Sequence, residues 1–264
     1  MIPSSTRGKR EWTSIGPRFA NAPVNWYTNQ SVTMRLAMPR PRLPKEQESG
    51  PGADAIRSMR RIGGHPALDF VNTVDPDKPD PEALRDYNAL LTWCETVGII
   101  MLDEATKLRA IAKRNAAAAA RGLEDALALR EVVSQLVMAR VTNRRAGNRT
   151  LTTFNQMMRR FSSRIELAAT ELGYTLKSIG TDEPLSWPVV RLVQLSAELL
   201  TSPSFAKVRV CAADGCGWLF LDDSRSHRRR WCSMDSCGNR EKARRHYHQA
   251  RRNSRSTNLR RARF

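Results

Sequence analysis

Apolar side chains recur at the spacing of one helix face along much of the chain, and charged residues occupy the other faces. Pro81, after the N-cap residue Asp80, predicts the start of a helix. The helices predicted in this way run from Asp80–Pro81 through Leu84, Tyr87, Leu91 and Cys94, from Asp103 to Gly122, over 123–145, over 150–172 before Gly173, and from Pro188 through "PVVRLVQLSAELLTS". The pattern predicts a mainly helical body.

Alternation typical of β-strands is confined to short runs. Phe70–Val74, between "GGHP" and "DPDKPDP", predicts one short strand. The stretch "YTLKSIGTDEPLSW" predicts a further strand or hairpin. The expected fold class is therefore mainly α with a minor β element.

The N-terminal segment has a different composition. Residues 1–58 are rich in Pro, Arg, Ser and Asn and have no sustained period of 3.6 or 2. We predict a disordered extension, or an over-long translation start whose true initiator is Met34, Met38 or Met59. The remaining chain divides into a helical domain over 59–205, a cysteine-rich module over 206–252 and a basic tail over 253–264.

The net charge of +18 is concentrated in the last fifth of the chain. Residues 206–264 carry 16 Lys and Arg against 5 Asp and Glu, a net of +11, whereas residues 59–205 are close to neutral at +2. This asymmetry predicts a polyanionic partner for the basic module alone. No apolar run is long enough for a membrane span and no secretory signal precedes the body, so we expect a cytoplasmic protein with reduced cysteines.

Four of the five cysteines form two matching C-x4-C pairs. They are Cys211 with Cys216 and Cys232 with Cys237. Four thiolates suit one tetrahedral Zn²⁺ without an open position, which is a structural site. We predict a hairpin over 217–231 between the pairs and a helix from Cys237. That order is typical of a treble-clef or zinc-ribbon-like finger whose folding depends on the metal.

Other interpretations of these residues are weaker. Disulfides suit a reducing compartment poorly, and a histidine ligand (His227, His246 or His248) would replace a member of a set that is already complete. The fifth cysteine, Cys94, is most simply a small buried hydrophobic residue.

Arginines surround the cysteine pairs and fill most of the last helix. The predicted phosphate contacts from this pattern are Arg228, Arg229, Arg230, Arg240, Lys242, Arg244, Arg245, Arg251 and Arg252, with Trp218, Trp231 and Tyr247 available for packing or stacking. The alternative is a solvated surface that compensates a zinc–tetrathiolate centre of charge −2. Subtracting that centre still leaves +9, so we predict nucleic-acid binding.

The stretch "CGWLFLDDSRSHRRRWCSMDSCGNREKARRHY" closely resembles the CGNR zinc finger, and "GGHPALDFVNTV" resembles the opening of the ABATE domain. The resemblance covers about residues 59–250 and does not extend to the first 58. It implies a bacterial stress-induced transcriptional regulator with a DNA-binding finger. It also implies that Cys211, Cys216, Cys232 and Cys237 bind zinc and that Asn239 and Arg240 are structural or contact residues at the helix start.

We therefore expect a zinc-binding regulator whose finger binds DNA through phosphates, with a helical domain for sensing or for homodimer formation. The alternative is an RNA- or ribosome-associated zinc protein. Catalysis is not expected, because His65 with Asp69 is the sole acid–base pairing and no nucleophile motif accompanies it. His65, Asp69 and Asn72 could line a ligand site, although a turn at "GG" and local backbone hydrogen bonds explain them more simply.

Overall fold

A computed structural model describes residues 51–162, 165–170, 173–178 and 183–261. Residues 1–50, most of the predicted extension, lie outside the described residues. The helices are α1 (Pro51–Arg57), α2 (Pro66–Val71), α3 (Tyr87–Thr96), α4 (Leu102–Arg114), α5 (Ala116–Val141), α6 (Asn148–Ser162), α7 (Trp187–Thr201) and α8 (Asn239–Arg261). The strands are β1 (Ile165–Thr170), β2 (Gly173–Ser178), β3 (Val208–Val210) and β4 (Leu219–Leu221). None of the helices in these ranges is both long and apolar enough to cross a membrane.

Helix α5 is the centre of the helical domain. It packs against α2, α3, α4, α6 and α7 and buries Leu129, Val133 and Val137 completely. A second group of large side chains joins α2 to α3, where the rings of Phe70 and Trp93 lie 5.5 Å apart. The prediction of a mainly helical fold with a minor β element is confirmed.

Two predicted helix boundaries are wrong because nearby residues are better caps. Helix α3 begins at Tyr87, six residues after Pro81, where the carboxylate of Asp86 accepts from the backbone N–H of Ala89 at 2.7 Å. The alanine tract belongs to α5, because Asn115 ends α4 and caps the next helix. Asp86 and Asn115 each accept from a backbone N–H in the first turn of their helix, as an N-cap does, whereas Asp80 pairs with Arg85 instead.

The predicted strand Phe70–Val74 is also wrong, since Pro66–Val71 forms α2. The ring Nδ1 of His65 caps this helix by accepting from the backbone N–H of Ala67 at 3.1 Å, and Pro66 stands at its first position. Leu68 and Phe70 are fully buried. Burial on a short helix removes the alternation that would distinguish it from a strand.

The predicted helix over 150–172 ends ten residues early. Helix α6 stops at Ser162, and β1 and β2 then form an antiparallel hairpin in which Leu167 pairs with Leu176. Gly173 begins the return strand and does not terminate a helix. The predicted strand in "YTLKSIG" is thus confirmed, and its partner comes from the sequence before it.

Helix α1 lies in the segment for which the sequence predicts no fold. Its residue Ile56 is 3% exposed and belongs to the core of the helical domain. About two turns of helix with one buried apolar side chain leave too little periodicity to be recognised in a proline-rich segment.

Candidate metal centre and basic surface

The first cysteine pair lies in the connection between β3 and β4. These strands pair antiparallel, with Val208 opposite Leu221. Cys211 and Cys216 therefore occupy the loop of the hairpin, in which Gly215 and Gly217 have φ angles of +77° and +66°. Such angles favour glycine, and they let the eight-residue connection, residues 211–218, reverse the chain.

The predicted hairpin over 217–231 is therefore placed wrongly. The stretch "GWLFLD" contains the strand β4. However, β4 pairs with β3, which precedes Cys211, and not with a strand between β4 and Cys232. After β4, the buried carboxylate of Asp222 accepts from the backbone N–H groups of Ser224 and Arg229 and closes a loop without strand structure. Burial acts to raise the pKa of Asp222, but the hydrogen bonds from Ser224 and Arg229 prevail and hold that pKa below its ordinary value.

The second cysteine pair lies at the entry to the last helix. Cys232 follows the Asp222 loop, and Cys237 belongs to one wide helical turn, Met234–Gly238, that leads into α8. Hairpin, loop and helix therefore converge on the four cysteines. The predicted treble-clef or zinc-ribbon-like finger is confirmed in this form.

The four sulfur atoms have the spacing of a metal-binding set. The Sγ atoms of Cys211, Cys216, Cys232 and Cys237 all lie within 4.8 Å of one another, and all four residues are buried. The Sγ of Cys232 lies 3.7 Å from that of Cys216 and 3.6 Å from that of Cys237. A tetrahedron with sulfurs about 2.3 Å from a central Zn²⁺ has edges of about 3.8 Å. The residues present fit this ion.

Protonation equilibria in the cluster favour a bound cation. The hydrogen bond with the Cys232 thiol is the main cause that lowers the pKa of Cys216 to about 5. The same bond and burial raise the pKa of Cys232, and burial raises that of Cys237 to about 11. One thiolate thus suppresses ionisation of its neighbours, and a bound divalent cation removes that penalty.

Several donors surround the sulfurs. The backbone N–H of Cys232 donates to the Sγ of Cys211 at 3.3 Å, and the Arg240 guanidinium lies 3.8 Å from the Sγ of Cys237. Such contacts orient thiolate ligands and offset their negative charge. Among the described residues the four cysteines are the group placed to hold a metal, and His227 instead contacts the backbone carbonyl of Asp222.

The predicted basic residues divide into two groups, of which the first is already engaged within the protein. Arg240 pairs with Asp77, and Arg244 pairs with Asp214 at 2.6 Å. Arg229 donates to the backbone carbonyls of Trp231 and Cys232, and its guanidinium stacks on the ring of Phe220 at 4.5 Å. These three arginines support the finger.

The second group faces solvent. Arg228, Lys242 and Arg245 are exposed, and the described part of the chain gives their side chains no ion pair or hydrogen bond. Arg230 and Arg251 are exposed and lie over the rings of Trp231 and Tyr247, at 5.5 and 5.7 Å. Asn239 is exposed at the start of α8, and the side chain of Arg252 lies outside the described residues.

Helix α8 presents Lys242, Arg245 and Arg251 on an exposed surface. Every side chain from Lys242 to Arg251 is exposed, including Tyr247 at 58%. Of the aromatic residues predicted for stacking, Trp218 and Trp231 are half-buried against the cysteine cluster, so Tyr247 is the one that solvent reaches most freely.

The three residues of the predicted ligand site lie on or beside α2 and have backbone partners. His65 caps the helix, and the carboxylate of Asp69 accepts from the N–H of Gly63 at 2.8 Å. The amide of Asn72 is buried against Leu219 in β4. The sequence gives no direct indication of this last contact. The sequence shows only that Asn72 is a polar residue directly after the apolar residues of α2.

A separate cavity of about 460 Å³ lies between α1, α3 and the segment that follows α2. Its lining includes Ile56, Met59, Thr73, Glu82 and Thr92. The volume is within the range of small-molecule sites.

Comparison with known families agrees with this architecture. A model described as the CGNR zinc finger matches residues 207–252. The ABATE model, described as "Putative stress-induced transcription regulator", matches residues 64–203, more than half of the 264-residue chain. No curated protein matches the chain in sequence. The helical domain, its opening "GGHPALDFVN" motif and the cysteine cluster together place this chain in the ABATE family, with a CGNR zinc finger following the ABATE domain.

Proposed function

We propose that the protein is a transcriptional regulator whose finger, folded around one structural Zn²⁺, binds DNA through the phosphate backbone. The observation that carries the proposal is the row of exposed cations on α8, in particular Lys242 and Arg245, which have no acidic partner among the described residues. Side chains three apart on a helix share a face, so both reach the same phosphate backbone.

The metal site supports binding rather than catalysis. Four cysteine sulfurs complete the tetrahedral coordination of Zn²⁺ and leave no position for an activated water. The ion's contribution is the folding of the hairpin, the Asp222 loop and the start of α8 around one point. Arg240 and Arg244 then anchor the helix through Asp77 and Asp214, and the remaining cations stay available for an external polyanion.

In this proposal the helical domain senses a signal or mediates dimerisation. The cavity beside α1 supports the sensing role, because its volume admits a small molecule and Thr73 in its lining follows Asn72, which contacts the finger.

Crosslinking in cells, followed by sequencing of the nucleic acid bound to the tagged protein, tests the choice of polyanion. We expect DNA fragments that map to discrete genomic positions. Recovery of structured RNA alone would overturn the DNA proposal and favour an RNA- or ribosome-associated protein. A Cys232→Ser variant, which lacks one metal ligand, serves as the background control.

A further inference from the structure

The outer edge of β4 is completed by the helical domain. Strand β4 pairs with β3 on one side. On its other side the N–H of Leu221 donates to the carbonyl of Gly63 at 2.8 Å. The side chain of Asn72 accepts from the N–H of Leu219 and donates to its carbonyl, both at 2.8 Å. A carboxamide that bonds both groups of one residue takes the place of a strand neighbour.

These contacts are inside the protein. Asn72 is 4% exposed, and Leu219 and Leu221 belong to the same hydrophobic core as the helices. Removal of the Asn72 amide would leave the N–H and carbonyl of Leu219 buried without partners, which is unfavourable. Space at Gly63 is equally restricted, because a Cβ there would lie 2.9 Å from the backbone nitrogen of Asp69.

A second contact joins the same segment to the start of the basic helix. Asp77, five residues after Asn72, pairs with Arg240 in the first turn of α8. Gly215 in the metal-binding loop lies close by, since a Cβ there would be 2.7 Å from the carboxylate of Asp77. The finger's strand and its helix are therefore both held by residues 72–77.

The segment is itself fixed to the centre of the helical domain. Arg130 of α5 donates to the hydroxyl of Thr73 at 2.7 Å and forms a two-point ion pair with Glu82. Arg130 is 8% exposed. Contacts thus run without interruption from α5, through Thr73 and Asn72, to β4 of the finger.

We propose that residues 63–77, the orienting segment, set the direction of α8 relative to the helical domain, with Asn72 as the principal positioning residue. The consequence for nucleic-acid binding rests on the proposed function. The orientation itself does not, because it follows from the contacts of Asn72 and Asp77 alone. Any change in the helical domain that displaces Thr73 would then alter how the finger presents its cations.

Single-molecule energy transfer on the zinc-loaded full chain tests the inference. Dyes are attached through noncanonical amino acids at two exposed positions, Glu124 in α5 and Gln249 in α8. We expect Asn72→Leu to retain zinc and to broaden the distance distribution at least twofold. Asn148→Leu, the same change at an exposed position of α6, should leave it unchanged. A purely stabilising role would lower the melting temperature without altering this distribution in the folded state.

An unchanged distribution in folded, zinc-loaded Asn72→Leu would overturn the inference. If that variant does not fold, Asp77→Asn replaces it, since the Asp77 side chain is 42% exposed and tolerates an isosteric change. A shifted or broadened distribution in Asp77→Asn supports the inference, and an unaltered one refutes it.

A binding measurement separates this inference from the proposed function. If the finger binds DNA, Asn72→Leu should weaken binding about tenfold at fixed salt and leave the salt dependence unchanged, because no cation is lost. Absence of DNA binding by the wild-type protein would refute the proposed function, and the energy-transfer result would still decide the orienting role.

Discussion

Loss of one zinc ligand should destabilise the helical domain as well as the finger. Strands β3 and β4 place Val208, Leu219 and Leu221, which are 4%, 2% and 7% exposed, in the same core as the helices. Burial of each such side chain contributes about 1.5–3 kcal/mol. If Cys232→Ser releases the hairpin from the core, loss of the burial of these three side chains lowers the free energy of unfolding by about 5–9 kcal/mol. This is an upper estimate, because unfolded chains retain some burial.

That loss is comparable with the whole stability of a typical domain, about 5–15 kcal/mol. For a domain of this size each kcal/mol lowers the melting temperature by about 2–4 °C, so we expect a decrease of about 10 °C. Thermal unfolding followed by far-ultraviolet circular dichroism measures it, since the signal comes mostly from α3–α7.

Chelation of wild-type protein should reproduce the effect of Cys232→Ser, and the chelator should not change the variant further. A helical signal that melts at the wild-type temperature while amides of the finger exchange freely would refute the coupling between the finger and the helical domain. That outcome would show that the finger unfolds without disturbing the core that it shares.

Three further changes test the fold. Gly122→Ala should lower the melting temperature although alanine has the better helix propensity, because the new Cβ would lie 2.8 Å from the carbonyl oxygen of Leu185. Such overpacking costs about 1–3 kcal/mol. An increased melting temperature would contradict the contact. Burial lowers the pKa of His65 to about 4. Between pH 6.5 and 4 the unfolded chain therefore binds a proton at His65 that the folded chain does not, so the protein's free energy of unfolding decreases as the pH falls. His65→Asn keeps an N-cap acceptor but does not titrate. In denaturant titrations its free energy of unfolding relative to wild type should therefore rise on acidification across that window. A constant difference would refute the lowered pKa of His65. Arg130→Met should destabilise by about 2–4 kcal/mol in chemical denaturation, with partial recovery in Arg130→Met/Glu82→Leu, and equal loss in both variants would argue against the ion pair.

The cysteine cluster could be predicted from the sequence because ligand identity and spacing are local. Each C-x4-C pair requires only a local reversal of the chain, and Gly215 and Gly217 allow one at the first pair. The position of the hairpin could not be predicted in this way. The β-favouring run of β4 has candidate partners on either side, and pairing with β3 is selected by burial against the helices.

The helices were predictable where one face is buried over several turns, as in α5 and α7. Short elements such as α2 were not, since one and a half turns of apolar residues have no distinct period. The roles of individual arginines were also beyond the sequence, because composition does not reveal that Asp77 and Asp214 meet Arg240 and Arg244 across the fold.

The salt dependence of DNA binding shows whether α8 contacts the phosphate backbone. Fluorescence anisotropy of a labelled duplex, titrated with zinc-loaded protein at several salt concentrations, gives the slope of log K against log salt. Each lost phosphate contact reduces its magnitude by about 0.9, so Lys242→Ala/Arg245→Ala should reduce it by about 1.8.

The matched control removes one lysine and one arginine from the exposed end of α4, as Lys113→Ala/Arg114→Ala. We expect the wild-type slope for this control and the reduced slope for the α8 variant, with zinc retained in both. Equal slopes for the two variants would contradict the assignment of α8 as the surface that binds the phosphate backbone.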